Sequence, residues 1–334
     1  MSRPNLYRSC RLTANQRLTV VVPGDDPPQR QGSPHLDRLR PYGEVTVHMD
    51  RPATLDEKLA RVNDADVILN TRGAVNWPGD ALRALPKLRM ITTCSIGTDM
   101  IDLQAASDMG IVVSNQPGRT AGVVAEHIFG LMFAAAKRAA FQTAELKAGR
   151  WARRENILLR GKTLGVVGTG NVGAEVARLG NALGMNVIAW TFNPSPQRAS
   201  ALGVRFVELD DLLRESDVVS LNLRLSDDTA GLVGERELGL MKQGALLVNG
   251  GRGELVDTAA LVRALNSGHL AGAALDVFDI EPLPPDHPIL DCEQVVLTPH
   301  MADQTPEGIE LLNEGAVDNV IAFLEGRPQN VVTP

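Results

Sequence analysis

A chain of 334 residues exceeds one ordinary domain of ~100–200 residues and fits two. Hydrophobic residues make up 44% and charged residues 22%, a globular balance that excludes a disordered chain and a membrane bundle. The 33 basic and 40 acidic side chains leave a net charge of −7, which argues against nucleic acid or an anionic membrane as a partner. Cys10, Cys94 and Cys292 form neither a disulfide framework nor a metal-binding spacing, so the expected compartment is the reducing cytoplasm and no metal is expected. No apolar run reaches the ~18 residues of a spanning helix. The first seventeen residues, MSRPNLYRSCRLTANQR, hold four arginines and no acid, and read as a flexible extension or a targeting segment.

The core begins at Leu18. LTVVVPG (18–24), VTVHM (45–49) and DVILN (66–70) are strand-like runs separated by helix-length stretches at 34–41 and 54–64. LRMITTC (88–94) and GIVVSN (110–115) continue the alternation, which predicts a parallel, doubly wound sheet. From Thr120 to Gly149, apolar residues at 123, 124, 128, 131, 132 and 135 predict one long helix ended by glycine. Trp151 and Ile157-Leu158-Leu159 are expected as irregular packing residues. A second β-α-β series then runs through KTLGVVG (162–168), MNVIAW (185–190), VRFV (204–207), DVVSLNL (217–223), ALLVNG (245–250), GAALDVF (272–278) and QVVLTPH (294–300). Six or seven parallel strands are expected there. GIELLNEGAVDNVIAFLEG (308–326) predicts an amphipathic helix that returns to the first domain. The division expected is therefore 18–115 plus 301–334 for a discontinuous substrate domain and 116–300 for a dinucleotide domain.

Gly168-Thr169-Gly170-Asn171-Val172-Gly173 follows a strand and opens a helix, the context that a dinucleotide fingerprint requires. Gly168 suits the tight turn, Gly170 the approach of backbone N–H groups to a pyrophosphate, and Gly173 close helix–strand packing. Three further strand ends carry reactive side chains: Arg252 in VNGGRGELVD, Glu281 in ALDVFDIEPLPP, and His300 in VVLTPH. Beside a nicotinamide site they have one chemical sense. Arg252 holds a carboxylate in its planar fork, His300 passes a proton to a carbonyl oxygen as hydride arrives, and Glu281 favours the imidazolium. Of the other histidines, His35, His48, His269 and His287 are placed in loops or surface elements, and His127 within the long helix.

With the glycine loop, Arg252, Glu281 and His300 resemble the D-isomer-specific 2-hydroxyacid dehydrogenase family over nearly the whole chain from Leu18. CSIGTDMIDL (94–103) is similar to the family's substrate loop, which implies that N–H groups near Ile96 and Gly97 meet the substrate carboxylate. NQPGRTAGVVAEH (115–127) resembles the crossing into the cofactor domain. The resemblance further implies that Asp276 binds the nicotinamide carboxamide. It also implies two doubly wound Rossmann-like domains with the active site between them, a homodimer formed through the cofactor domain, and a small 2-oxo or D-2-hydroxy acid as substrate, of the glyoxylate or hydroxypyruvate kind.

Two positions depart from the pattern. Thr191, eighteen residues after Gly173, stands where NAD-dependent members usually carry a ribose-binding Asp, and Arg224 stands where Pro is common. Thr191 and Asn193 are the candidate ribose contacts, so NAD and NADP are both expected to serve. Arg198 could reach a 2′-phosphate or be solvated, and Arg72 could face the substrate or the surface. One rival reading is a corepressor-like, dinucleotide-sensing scaffold on the same fold. Formate dehydrogenases resemble the chain too but use Gln in place of Glu281, and phosphoglycerate dehydrogenases often add a regulatory domain where only eight residues follow Gly326.

Overall fold

A computed structural model describes residues 17–334, so the Arg-rich extension up to Gln16, with Cys10, lies outside the described residues. The chain divides into two compact units, one of residues up to Thr120 together with Thr305–Pro334, the other Ala121–Gln304. Among the described residues no helix is long and apolar enough to cross a membrane.

The first unit is a five-stranded parallel sheet in the order β2-β1-β3-β4-β5. Its elements are β1 (Leu18–Val22), α1 (Pro34–Asp37), β2 (Gly43–Val47), α2 (Leu55–Val62), β3 (Val67–Asn70), α3 (Gly79–Arg83), β4 (Met90–Thr93), α4 (Leu103–Asp108) and β5 (Val112–Ser114). β3 and β4 are buried at every position, whereas β2, at the sheet edge, alternates with exposed residues. That is why the central strands show no alternation of apolar and exposed polar residues. One face of the sheet is covered by the C-terminal helix Pro306–Leu324. Its Leu312, Ala316, Val317, Val320 and Phe323 pack with Leu18, Val20, Val22, Leu39 and Met90.

The second unit carries α5 (Ala121–Ala136), α6 (Ala139–Lys147), β6 (Thr163–Val167), α7 (Asn171–Ala182), β7 (Asn186–Trp190), α8 (Pro196–Leu202), β8 (Arg205–Phe206), α9 (Leu209–Glu215) and β9 (Val218–Leu221). α10 (Glu235–Leu240), β10 (Leu246–Asn249), α11 (Thr258–Asn266), β11 (Gly272–Leu275) and β12 (Val295–Leu297) follow, and the C-terminal helix of the first unit is α12. Seven parallel strands stand in the order β12-β11-β10-β9-β6-β7-β8. The chain steps from β6 outward through β7 and β8 and then crosses back to β9, so the switch point lies at the carboxyl ends of β6 and β9. Open sheets of this kind bind ligands there.

Two expectations need correction. The long helix over 120–149 is split, because Arg138 adopts a left-handed conformation (φ 50°) between α5 and α6. Such a residue costs roughly 1–2 kcal/mol. Side chains at the break offset it: Lys137 Nζ donates to the Ile157 carbonyl at 2.6 Å and Arg138 Nε to the Glu155 carbonyl at 3.0 Å. Trp151 and Leu158 are not packing residues but are 77% and 68% exposed, while Leu159 is buried. His287 lies in a loop, as expected, and is buried there, its Nδ1 accepting from the Ile289 N–H.

Candidate active site

The loop from β6 to α7 has the geometry that an anionic ligand needs. Gly168 has φ +89°, and a Cβ there would fall 2.7 Å from Leu223 Cδ2. A Cβ on Gly173 would sit 1.9 Å from the Gly168 carbonyl oxygen, so the helix can start this close to the strand only without a side chain. Around Gly170, by contrast, nothing lies within 4 Å of a Cβ position. Gly170 caps α7 with no side-chain hydrogen bond, leaving the first-turn N–H groups of Asn171, Val172 and Gly173 to an external acceptor. The residues present therefore fit a dinucleotide, whose pyrophosphate these N–H groups would hold. Thr169 is buried, and its carbonyl and hydroxyl accept from Arg198 Nη2 at 2.8 and 2.6 Å. Thr191 follows β7 half-buried and Asn193 is exposed.

The reactive side chains lie beyond the carboxyl ends of β10, β11 and β12 in the same unit. After β10, the Asn249 side chain folds the turn, its Oδ1 accepting from the Gly251 N–H at 3.0 Å and its Nδ2 donating to the Arg252 carbonyl at 2.8 Å. Arg252 is half-buried. Gly253 lets this turn touch the segment after β11, since a Cβ would meet the Phe278 carbonyl carbon at 1.9 Å. Glu281 is held at both oxygens: Oε1 accepts from the Phe278 N–H at 3.0 Å, and Oε2 lies 2.7 Å from His300 Nδ1. A carboxylate only accepts, so Nδ1 carries a proton and Nε2 is the nitrogen left to exchange one. The His300 side chain is 43% exposed, and Nε2 has no partner among the described residues. Burial by itself would raise the Glu281 carboxyl. The His300 hydrogen bond and charge, the Phe278 N–H and the charge of Arg252 outweigh it and hold the group below its ordinary value.

His300 adopts φ 49°, a conformation costly for any residue but glycine, and a network absent from the expected constellation maintains it. Its N–H donates to the Asp276 carbonyl at 2.7 Å. The Asp276 carboxylate accepts from the Thr298 hydroxyl at 2.6 Å and from the N–H groups of Met301 and Ala302 at 3.0 Å each. His127 Nε2, on α5, lies 3.0 Å from the Thr298 oxygen and 3.3 Å from Asp276 Oδ1. Thr298 spends its one hydrogen on Asp276, so His127 donates. Burial would raise the Asp276 carboxyl, but the hydrogen bonds from His127, Thr298 and Met301 and the His127 charge bring it below its ordinary value. At 1% exposure Asp276 faces inward. Among the described residues its Oδ2 accepts only from the Ala302 N–H, which leaves a lone pair for one further donor of the carboxamide kind. His127 and Thr298 were missed because their link joins positions 171 residues apart. The one sequence signal was a histidine on an otherwise apolar helix face.

On the first unit, the carbonyls of the loop after β4 accept from nearby side chains. Thr93 Oγ1 donates to the Ser95 carbonyl, Asn115 Nδ2 to that of Ile96, and Ser95 Oγ to that of Gly97. The N–H groups of Ile96 and Gly97 have no acceptor among the described residues. Arg72, after β3, has φ 47° and donates through Nε to Gln29 Oε1 at 3.1 Å.

Comparison with known proteins gives a consistent picture. Residues 129–302 match the NAD-binding domain of the D-isomer-specific 2-hydroxyacid dehydrogenases. The chain is 40% identical over 308 residues to a glyoxylate reductase of Aeropyrum pernix, covering 89% of this chain and 92% of that one. It is 38% identical over 300 residues to a D-3-phosphoglycerate dehydrogenase of Archaeoglobus fulgidus, covering 88% of this chain but 56% of that longer one. Among solved structures, an NADPH-dependent glyoxylate/hydroxypyruvate reductase of Sinorhizobium meliloti, in complex with NADP and malonate, superposes with a TM-score of 0.83. It is 29% identical, with 95% of this chain and 97% of that one covered. Other solved relatives hold NAD or NADPH. By the breadth of these matches the chain belongs to the D-isomer-specific 2-hydroxyacid dehydrogenases and is an NAD(P)-dependent enzyme of that family.

Proposed function

We propose that the enzyme reduces a small 2-oxo acid, of the glyoxylate or hydroxypyruvate kind, to the D-2-hydroxy acid. The observation that carries this reading is the His300–Glu281 pair, with Nε2 of the imidazole open to an incoming carbonyl. When bound, the reduced nicotinamide supplies the hydride that adds to the carbonyl carbon. His300 then gives its Nε2 proton to the carbonyl oxygen as the C=O π bond breaks, and takes it back in the reverse direction. Glu281 holds the ring by Nδ1 and stabilises its cationic form. Arg252 is the carboxylate anchor, since its fork matches two oxygens and its charge opposes theirs. On the first unit, the N–H groups of Ile96 and Gly97 are available as carboxylate donors. Asn171, Val172 and Gly173 hold the pyrophosphate, Thr191 and Asn193 border the adenosine ribose, and Asp276 positions the His300 segment. Initial rates over a panel of 2-oxo acids, with NADH and with NADPH, test the reading. Turnover of glyoxylate or hydroxypyruvate supports it, and binding of dinucleotide without turnover of any oxo acid would favour a sensing scaffold.

The same reading takes the protein as a homodimer. Phe133, Leu146, Trp151 and Leu158 are large apolar residues exposed over one stretch of the second unit, a grouping typical of contact surfaces. Light scattering on purified protein checks this, with a twofold mass expected.

A further inference from the structure

We propose that Arg198 selects a 2′-phosphorylated dinucleotide, so that this enzyme takes NADP(H) in preference to NAD(H). The inference rests on the cofactor-binding reading above and concerns the adenosine end, away from His300. In a dinucleotide fold the residue at the end of the second strand meets the adenosine ribose. A carboxylate there accepts from the 2′-hydroxyl and repels a 2′-phosphate, whereas a nearby arginine accommodates the phosphate. Here the strand is β7 and the residue is Thr191, and from Thr191 to Val207 the chain has two arginines and no acid. Of the two, Arg205 is engaged by Glu215.

Arg198 is half-buried and tied down at several points. Its Nη1 donates to the Asn193 carbonyl at 2.6 Å and its Nη2 to both oxygens of Thr169, while the guanidinium carbon lies 5.9 Å from the Phe206 ring centroid. The side chain thereby spans from the loop after β7 to the glycine loop after β6, the two loops that border an adenosine ribose. A guanidinium has five N–H groups. The bonds above use three of them, leaving the Nε–H and one Nη1–H without an acceptor among the described residues on a half-buried side chain. Among the described residues no carboxylate pairs with the group. The result is a positive charge held in place with two donors to spare, where a 2′-phosphate would bring a dianion. The Thr191 hydroxyl adds a neutral donor that repels nothing.

A purely structural role is the competing account, in which Arg198 only ties two loops together. Dissociation constants separate the two without any oxo acid present. Quenching of intrinsic fluorescence in the purified chain would be titrated with NADPH, NADH, 2′,5′-ADP and 5′-AMP. NADPH is expected to bind at least tenfold more tightly than NADH, and 2′,5′-ADP more tightly than 5′-AMP by a similar factor. Arg198→Gln should weaken NADPH and 2′,5′-ADP by about thirtyfold, in the range of charge-assisted bonds, and NADH and 5′-AMP by less than threefold. Thr191→Asp, which leaves Arg198 in place, should weaken NADPH selectively through like charge. Equal losses for phosphorylated and unphosphorylated ligands in Arg198→Gln, or a wild type that prefers NADH, would overturn the proposal. Failure to bind any of the four would overturn the cofactor reading with it, whereas normal binding without turnover would leave this inference standing and the catalytic one refuted.

Discussion

The two ends of the candidate site are built differently. At the ends of β10, β11 and β12 each reactive group is fixed by several others: Glu281 by a backbone N–H and an imidazole, and the His300 segment by a buried carboxylate with four donors around it. At the ends of β6 and β7 the ligand-facing surface is mostly backbone, and one half-exposed arginine supplies the charge. Hydride and proton transfer tolerate little displacement of the reacting atoms, so the first end is over-determined. Choosing a cofactor needs only a charge of the right sign within reach, so the second end can change with a single residue.

Substitutions can break this contrast, beginning with the largest effect. His300→Ala should lower kcat by roughly 100- to 10,000-fold, the usual contribution of a general acid, while the dinucleotide Kd stays within about twofold. Stopped-flow rates and fluorescence titration measure both, and a kcat within threefold of wild type would remove His300 from the chemistry. Asp276→Ala deletes the buried acceptor of two N–H groups, a hydroxyl and an imidazole, and should cost about 3–5 kcal/mol of stability. Denaturant unfolding measures it.

The pH dependence of Asp276 follows from its depressed carboxyl. The folded value lies below the ordinary 3.8, so the stabilisation is complete above that value and is lost as pH falls through it toward the folded one. Asp276→Asn should therefore be less stable than wild type at neutral pH, with the gap closing on acidification below about pH 4. A gap independent of pH would mean that the charge is not what the site uses.

Arg252→Lys tests the fork. A point charge replaces two parallel bonds, so KM for the oxo acid should rise about tenfold or more and kcat should fall as well. Equal losses with the uncharged aldehyde analogue would show that Arg252 does not read the carboxylate. The smallest expected effect belongs to Glu281→Gln. The charge-assisted bond to Nδ1 becomes a neutral one and the ring is held less firmly, so kcat should fall about fivefold while the dinucleotide Kd stays unchanged. An unchanged kcat would reduce Glu281 to a loop acid.

Much of this architecture is legible in the chain itself, and the gaps have physical causes. Parallel strands buried on both faces announce themselves as apolar runs, and the edge strands β2 and β8, only partly buried, still overlap the runs read as strands. Glycines that must lack a Cβ, such as Gly173 and Gly253, stand out for the same reason. The break at Arg138 does not, because no glycine or proline marks it and its compensation comes from carbonyls at 155 and 157, far along the chain. The support of His300 by His127 and Thr298 is likewise a contact at long sequence distance, with no local pattern to show it. Arg198 was visible as a residue, but its choice between solvent and the ribose site depends on Thr169, twenty-nine positions earlier.

The return of α12 to the first sheet also sets a timetable for synthesis. The strand carrying Leu18, Val20 and Val22 is the first to be made, yet the residues from Leu312 to Phe323 that cover it are among the last. All the strands and helices of the second unit lie between, so that unit can finish while the first still shows an open apolar face. At ~5–20 residues per second the nascent chain carries that face for tens of seconds. A ribosome-bound holdase that shields apolar strands would find its natural client in the amino-terminal sheet, and slowing translation near the end of the message should cost soluble yield more than slowing it in the middle.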